Sequence, residues 1–263
     1  MSPVVLSLED LHFSFGGLKV LDGVRMQVRR GEIRGLIGPN GAGKTTLLNI
    51  ICGIHRPQQG DVRLNGVSIV GRKPSAIARL GLGRTFQSSQ LFQGMTVLEN
   101  MMVGLHRRTR TGLISAGLDR RRRRSEETEM EAAARAALAF VGLADLAERP
   151  ATALSFGQQR VIEIARTLIS EPALVLLDEP AVGLSANRLT ELDILLRRIR
   201  QEKGVTLILI EHVIRLVMGV CDQVTVLSSG RAIADGPPAA VRNDRGVIEA
   251  YLGKDLGARY QAS

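Results

Sequence analysis

Residues 38–46 read GPNGAGKTT, and they constrain the chain more than any other stretch. They satisfy the pattern G-x-x-x-x-G-K-[ST] through Gly38, Gly43, Lys44 and Thr45, with Pro39, Asn40, Gly41 and Ala42 filling the loop and Thr46 following it. Glycines at these places let backbone N–H groups curl around phosphate oxygens without a Cβ in the way. Lys44 then supplies a point charge for the outer phosphates and Thr45 a hydroxyl ligand for Mg²⁺. The competing reading is a chance glycine-rich turn. The context decides against it, because an apolar run, EIRGLI at 32–37, precedes the loop and TTLLNIICG after it reads as a buried helix stopped at Gly53.

A second run, LVLLDEP at 174–180, has the form of a buried strand that delivers Asp178 and Glu179 at its C-terminal end, where open α/β sheets bind ligands. Asp178 is expected to hold Mg²⁺ through water and Glu179 to polarise an attacking water as general base. A strand-end acid that merely caps the next helix is the plainer alternative. Taken alone the two weigh equally, and the phosphate loop tips the balance to catalysis.

The surrounding pattern is strand–helix alternation. Residues 4–13, 24–29, 173–177 and 205–210 read as strands, and 188–202 as the helix between the last two. Asp22-Gly23 and Asn65-Gly66 read as turns, the latter in a hairpin. Helices are expected at 96–106, at 125–141 with Ser125 as N-cap, and at 156–170 before Pro172. The expected fold is α/β: a P-loop NTPase core with a mostly parallel sheet, an N-terminal antiparallel β subdomain and an α-helical insertion. Residues 1–87 and 160–253 would form the nucleotide-binding core, 88–159 the helical subdomain and 254–263 a tail.

Composition narrows the function classes. Aromatics make up 3% of the chain and Trp is absent, which argues against base stacking on single-stranded nucleic acid. The net charge is +9, but residues 107–124 alone carry eight Arg against one acid, Asp119. One segment is basic, not the whole fold. It reads as a solvated helix start or, slightly less well, as a loop attracted to anionic lipid, with nucleic acid a distant third. Cys52 and Cys221 sit in apolar neighbourhoods and read as buried, reduced thiols. No apolar run approaches the ~18 residues that span a bilayer, and MSPVVLSLED lacks a signal-peptide n-region.

LSFGQQR at 154–160, the phosphate loop, Gln87 in RTFQ, LVLLDEP and His212 in IEH occur in an order that resembles the ATP-binding-cassette family, over residues 4 to 253. The resemblance implies an ATPase using ATP and Mg²⁺. It implies that Ser155, Phe156, Gly157 and Gln158 meet the γ-phosphate held by an opposite subunit, so that two cassettes pair head to tail around two nucleotides. It further implies that Gln87 binds Mg²⁺ or orients water, that His212 touches the γ-phosphate, and that Phe15 stacks on adenine, although Phe13 lies close in the pattern. Alone, Ser155 would be an ordinary N-cap, Gln87 a solvated loop residue and His212 a structural histidine. Departures from the family pattern are Phe156 for a glycine, Ser185 for an aspartate and Val213 for an aspartate. They bear on signalling between subunits and leave Lys44, Glu179, Ser155 and Gly157 in place.

RTFQSSQLFQGMTVLENMMVGLH, DEPAVGLS and the ending VIEAYLG resemble the larger cassette of branched-chain amino-acid importers. The implied partners are two membrane permease subunits, a second cassette (or a second copy when isolated) and, indirectly, a periplasmic binding protein; no nucleic acid is implied. The implied place is the cytoplasmic face of a bacterial inner membrane. Related systems for urea, amides or aromatic acids, and a separate exporter cassette, remain alternatives. A cassette acting on DNA or ribosomes fits less well, since those carry two cassettes per chain or a long coiled coil.

Overall fold

The computed structural model describes residues 2–85, 91–105 and 120–252, without the side chains of 120–123 and 252. Gln87, residues 106–119 of the basic segment and the tail from 253 onward lie outside the described residues.

Strands β1 (Val4–Phe15) and β2 (Leu18–Arg29) pair antiparallel. Asp22-Gly23, expected to be a turn, lies inside β2. The strand passes through it with register shifts between Leu8, Leu11 and His12 of its partner, so the pair bulges instead of ending. Next come β3 (Ile33–Ile37), α1 (Lys44–Ile51), β4 (Gln59–Leu64) and β5 (Val67–Ser68). Asn65 and Gly66 between the last two both have positive φ, 50° and 77°, the geometry of a tight hairpin turn. Short α2 (Pro74–Arg79) leads to β6 (Leu82–Arg84). Helices α3 (Val97–Leu105), α4 (Arg120–Phe140) and α5 (Phe156–Leu168) form the insertion. Helix α4 starts before Ser125, so Ser125 is an interior residue and not the expected cap; arginine is a good helix former and carries the helix back through the basic run.

The remainder alternates: β7 (Leu174–Asp178), α6 (Ala186–Lys203), β8 (Thr206–Ile210), α7 (Ile214–Val220), then the hairpin β9 (Gln223–Ser228) and β10 (Arg231–Gly236), and finally α8 (Pro238–Arg242) and α9 (Arg245–Leu252). The core sheet runs β10-β9-β3-β8-β7-β6, parallel except for β10; a second, antiparallel sheet runs β2-β1-β4-β5. Every residue of β3, β7 and β8 is buried, as parallel strands covered on both faces require.

Alternate side chains of these strands feed two different cores. Leu36, Leu176 and Ile208 pack toward α1 and the antiparallel sheet, while Ile37, Leu177 and Leu209 pack toward α6 and α7. A third cluster, with Met101, Leu138 and Ile162, holds the helical insertion together. Each such buried side chain stabilises the fold by about 1.5–3 kcal/mol, so the sheet's placement of its strand ends is strongly determined.

Candidate active site

Parallel pairing brings the C-terminal ends of three strands into line. Ile210 of β8 lies opposite Leu36 of β3 on one side and opposite Asp178 of β7 on the other. The chain that leaves each strand therefore enters the same crevice: the phosphate loop from β3, Glu179 from β7, and Glu211 and His212 from β8.

The loop ends at Gly43, which has φ 102° and serves as the N-cap of α1 without any side-chain acceptor. The first-turn N–H groups of α1 are thus left for an anion. A Cβ on Gly38 would stand 2.0 Å from the Leu227 carbonyl oxygen, so only glycine fits there. The β9–β10 hairpin clasps the loop from behind, with the Gly230 N–H donating to the Ala42 carbonyl at 3.1 Å. Lys44 is buried, and its ammonium donates to the carbonyls of Gly38 (2.7 Å) and Pro39 (3.0 Å). Burial pulls its pKa down, and the nearby Glu179 carboxylate opposes that.

Asp178 is held from below. The Arg84 guanidinium donates to its Oδ2 at 3.0 Å and to Asn49 of α1 at 2.9 Å, tying strand β6, strand β7 and the loop helix together. Glu179 has φ 51°, a left-handed conformation that costs a non-glycine residue about 1–3 kcal/mol. The bend turns its side chain toward His212, and Nε2 of His212 lies 2.7 Å from Glu179 Oε1. The residue types present fit a nucleotide with Mg²⁺: a hydroxyl at Thr45 and a carboxylate at Asp178 are the few protein oxygens that Mg²⁺ takes when phosphates and water complete its shell.

Lys44, Asp178, Glu179 and His212 are therefore brought together. Ser155 is not joined to them: it is the exposed N-cap of α5, and it forms a capping box in which its Oγ accepts from the Gln158 N–H and the Gln158 side chain accepts from the Ser155 N–H. Gly157 follows in the first turn of α5, beside Leu184. At the other end of the site, Phe13 is 7% exposed and Phe15 49%, the two rings meeting edge to face at 4.8 Å over His55. The outward ring is Phe15.

Two residues at the site have no assigned role in the sequence motifs. Glu211 is 0% exposed. Its carboxylate accepts from the backbone N–H of Ala181 (2.6 Å) and of His212 (3.1 Å), bridging the segment after Glu179 to the one that carries the histidine. Burial pushes its pKa up, against those hydrogen bonds. Its position directly before His212 was the only available signal. Tyr251 of α9 lies near the Gly38 backbone, and partial burial raises its phenol; nothing local in the sequence marks it.

Residues 21–182 match the family model described as "ABC transporter". The chain belongs to the ABC transporter family. A second model, "Branched-chain amino acid ATP-binding cassette transporter", matches residues 233–256 of this ABC chain, which include α8 and α9. BraF of Pseudomonas aeruginosa, named a high-affinity branched-chain amino acid transport ATP-binding protein, is 43% identical over 256 residues, covering 97% of this chain and 100% of its own. LivG of Escherichia coli, with the same description, is 41% identical over 254 residues at the same coverage. The crystal structure of an ATP-binding cassette of an ABC transporter in its ADP conformation superposes with a TM-score of 0.83 at 32% identity, over 96% of this chain and 100% of that one. The α/β cassette fold with an antiparallel N-terminal sheet is the one expected from the motifs.

Proposed function

We propose that this chain is the ATP-hydrolysing subunit of a membrane importer for branched-chain amino acids. The observation that carries hydrolysis is the Glu179–His212 contact beside Lys44 at the ends of β7, β8 and β3. The full-length likeness to LivG and BraF supports the substrate class. Among the described residues no helix is long and apolar enough to cross a membrane, and we assign the membrane passage to two permease partners.

ATP enters with its phosphates against residues 38–46, where Lys44 exchanges the Gly38 and Pro39 carbonyls for phosphate oxygens. Phe15 takes the adenine. Thr45, Asp178 and Gln87 would hold Mg²⁺, which would supply charge neutralisation at the outer phosphates. Glu179 accepts a proton from the attacking water as its oxygen bonds to the γ-phosphorus and the bridging oxygen leaves with ADP. His212 holds the Glu179 carboxylate and the γ-phosphate in a common orientation. Ser155, Gly157 and Gln158 complete the opposite site of a second cassette, and loss of the γ-phosphate lets the pair part. The pair docks at the cytoplasmic face of the membrane.

The test is uptake of labelled leucine in cells lacking the gene, complemented with wild type or with Glu179→Gln. Restoration by wild type alone is expected. Unchanged uptake on deletion, with no redundant carrier, would overturn the substrate class and direct the assay to urea, amides and aromatic acids.

A further inference from the structure

Phe156 stands where the family pattern has glycine, and the structure shows what its ring does. A Cβ added to Gly183, which has φ +75°, would lie 3.1 Å from Phe156 Cε1 and 3.5 Å from Cδ1. Phe156 is 44% exposed, and one edge of its ring lies against Gly183. The guanidinium of buried Arg160, on the same helix, lies 4.9 Å from the ring centroid, within cation–π range. One residue on, Gly157 lies against Leu184, where a Cβ would be 3.5 Å from Leu184 Cδ2. The first turn of α5 is thus packed along the loop 181–185.

The other end of that loop is fastened to the hydrolytic residues. Glu179 donates its backbone N–H to Ile210 (2.9 Å), Val182 donates to the Glu179 carbonyl (3.3 Å), and Ala181 donates to buried Glu211 (2.6 Å), which also takes the His212 N–H. A continuous run of contacts leads from Glu179 and His212, through 181–184, to Phe156 and its neighbour Ser155.

We infer that Phe156 is a positioning residue which locks the Ser155 signature onto the loop leaving Glu179, so that the hydrolytic set of one ATP site and the signature serving the opposite site move as one body. Phe156 thus acts inward, on its own protomer, and not as a ligand of the opposite nucleotide. This rests on the paired-cassette reading given above.

The experiment is a double-mutant cycle on ATP turnover by the full chain with its second cassette, or with itself where it self-pairs. Phe156→Ala and Glu211→Gln are each expected to lower kcat about tenfold at unchanged KM, and the double variant by about tenfold as well, because both release the same loop. A double variant slowed about a hundredfold would mean independent action and would overturn the inference. Phe156→Tyr, which keeps the ring, is expected within about twofold of wild type; a rate as low as that of Phe156→Ala also overturns it. If Glu211→Gln shows no cooperative melt, Leu184→Ala on the same loop replaces it in the cycle. Sedimentation of Glu179→Gln with ATP tests the underlying reading separately. No ATP-dependent pair would remove the premise, whereas a pair combined with additive rate effects would sink the role of Phe156 alone.

Discussion

Nε2 of His212 and Oε1 of Glu179 meet at 2.7 Å although they leave different strands. The contact exists because β7 and β8 are parallel and in register to their last residues, Asp178 and Ile210. His212→Ala and Glu179→Gln should each lower kcat by about 10²–10⁴, the range for a lost acid–base group, while nucleotide still binds. Phosphate release compared with equilibrium binding of a fluorescent ATP analogue separates the two quantities. Turnover within a few-fold of wild type would refute the assignment.

Lys44 spans the loop through two carbonyls at 2.7 and 3.0 Å. Lys44→Met keeps the buried stem and removes the charge. The variant should melt within a few degrees of wild type, yet ATP should no longer raise its Tm, since a ligand stabilises only the state that binds it. A preserved ATP-dependent shift in thermal denaturation would contradict the role given to Lys44.

Arg84 and Asp178 form an ion pair at 3.0 Å with both side chains about nine-tenths buried. Removing one partner strands the other, which costs about 3–5 kcal/mol. Arg84→Ala should therefore lower Tm by roughly 6–20 °C, on the scale of 2–4 °C per kcal/mol for a chain of this size. Calorimetry of the nucleotide-free protein decides it.

Burial pushes the Cys221 thiol up to about 12, and Cys52 is raised for the same reason. Neither should react with Ellman's reagent at pH 8 until the chain is unfolded, because the thiolate is the nucleophile. A thiol raised above its unfolded value of 9.0 lends stability that is complete below that pH and is lost as pH climbs toward 12. Cys221→Ala should flatten the alkaline loss of stability in that window, as urea titrations across it would reveal.

The parts legible in the sequence were those whose chemistry needs contiguous residues. GPNGAGKTT and LVLLDEP announce a strand, a loop and their roles together, because phosphate binding requires several neighbouring N–H groups and a strand end. Strand β6 and the β9–β10 hairpin were not read, since three-residue LGR is too short to show a period and QVTVLS resembles any buried run. Asp22-Gly23 was misread because the same dipeptide serves a turn and a bulge, and only the partner strand distinguishes them. Glu211 gave no signal of its own: its importance lies in the Ala181 N–H, which is far away in the chain.

The back wall of the phosphate loop has a bearing on how the protein is made. Gly38 rests on the Leu227 carbonyl, and Ala42 accepts from Gly230. Strand β3 itself has β8 and β9 as its two neighbours. A ribosome therefore releases the GPNGAGKTT segment long before the parts that shape it exist. Half-made chains expose the motif without its frame, and capture of nucleotide becomes a sign that synthesis has passed the β9–β10 hairpin.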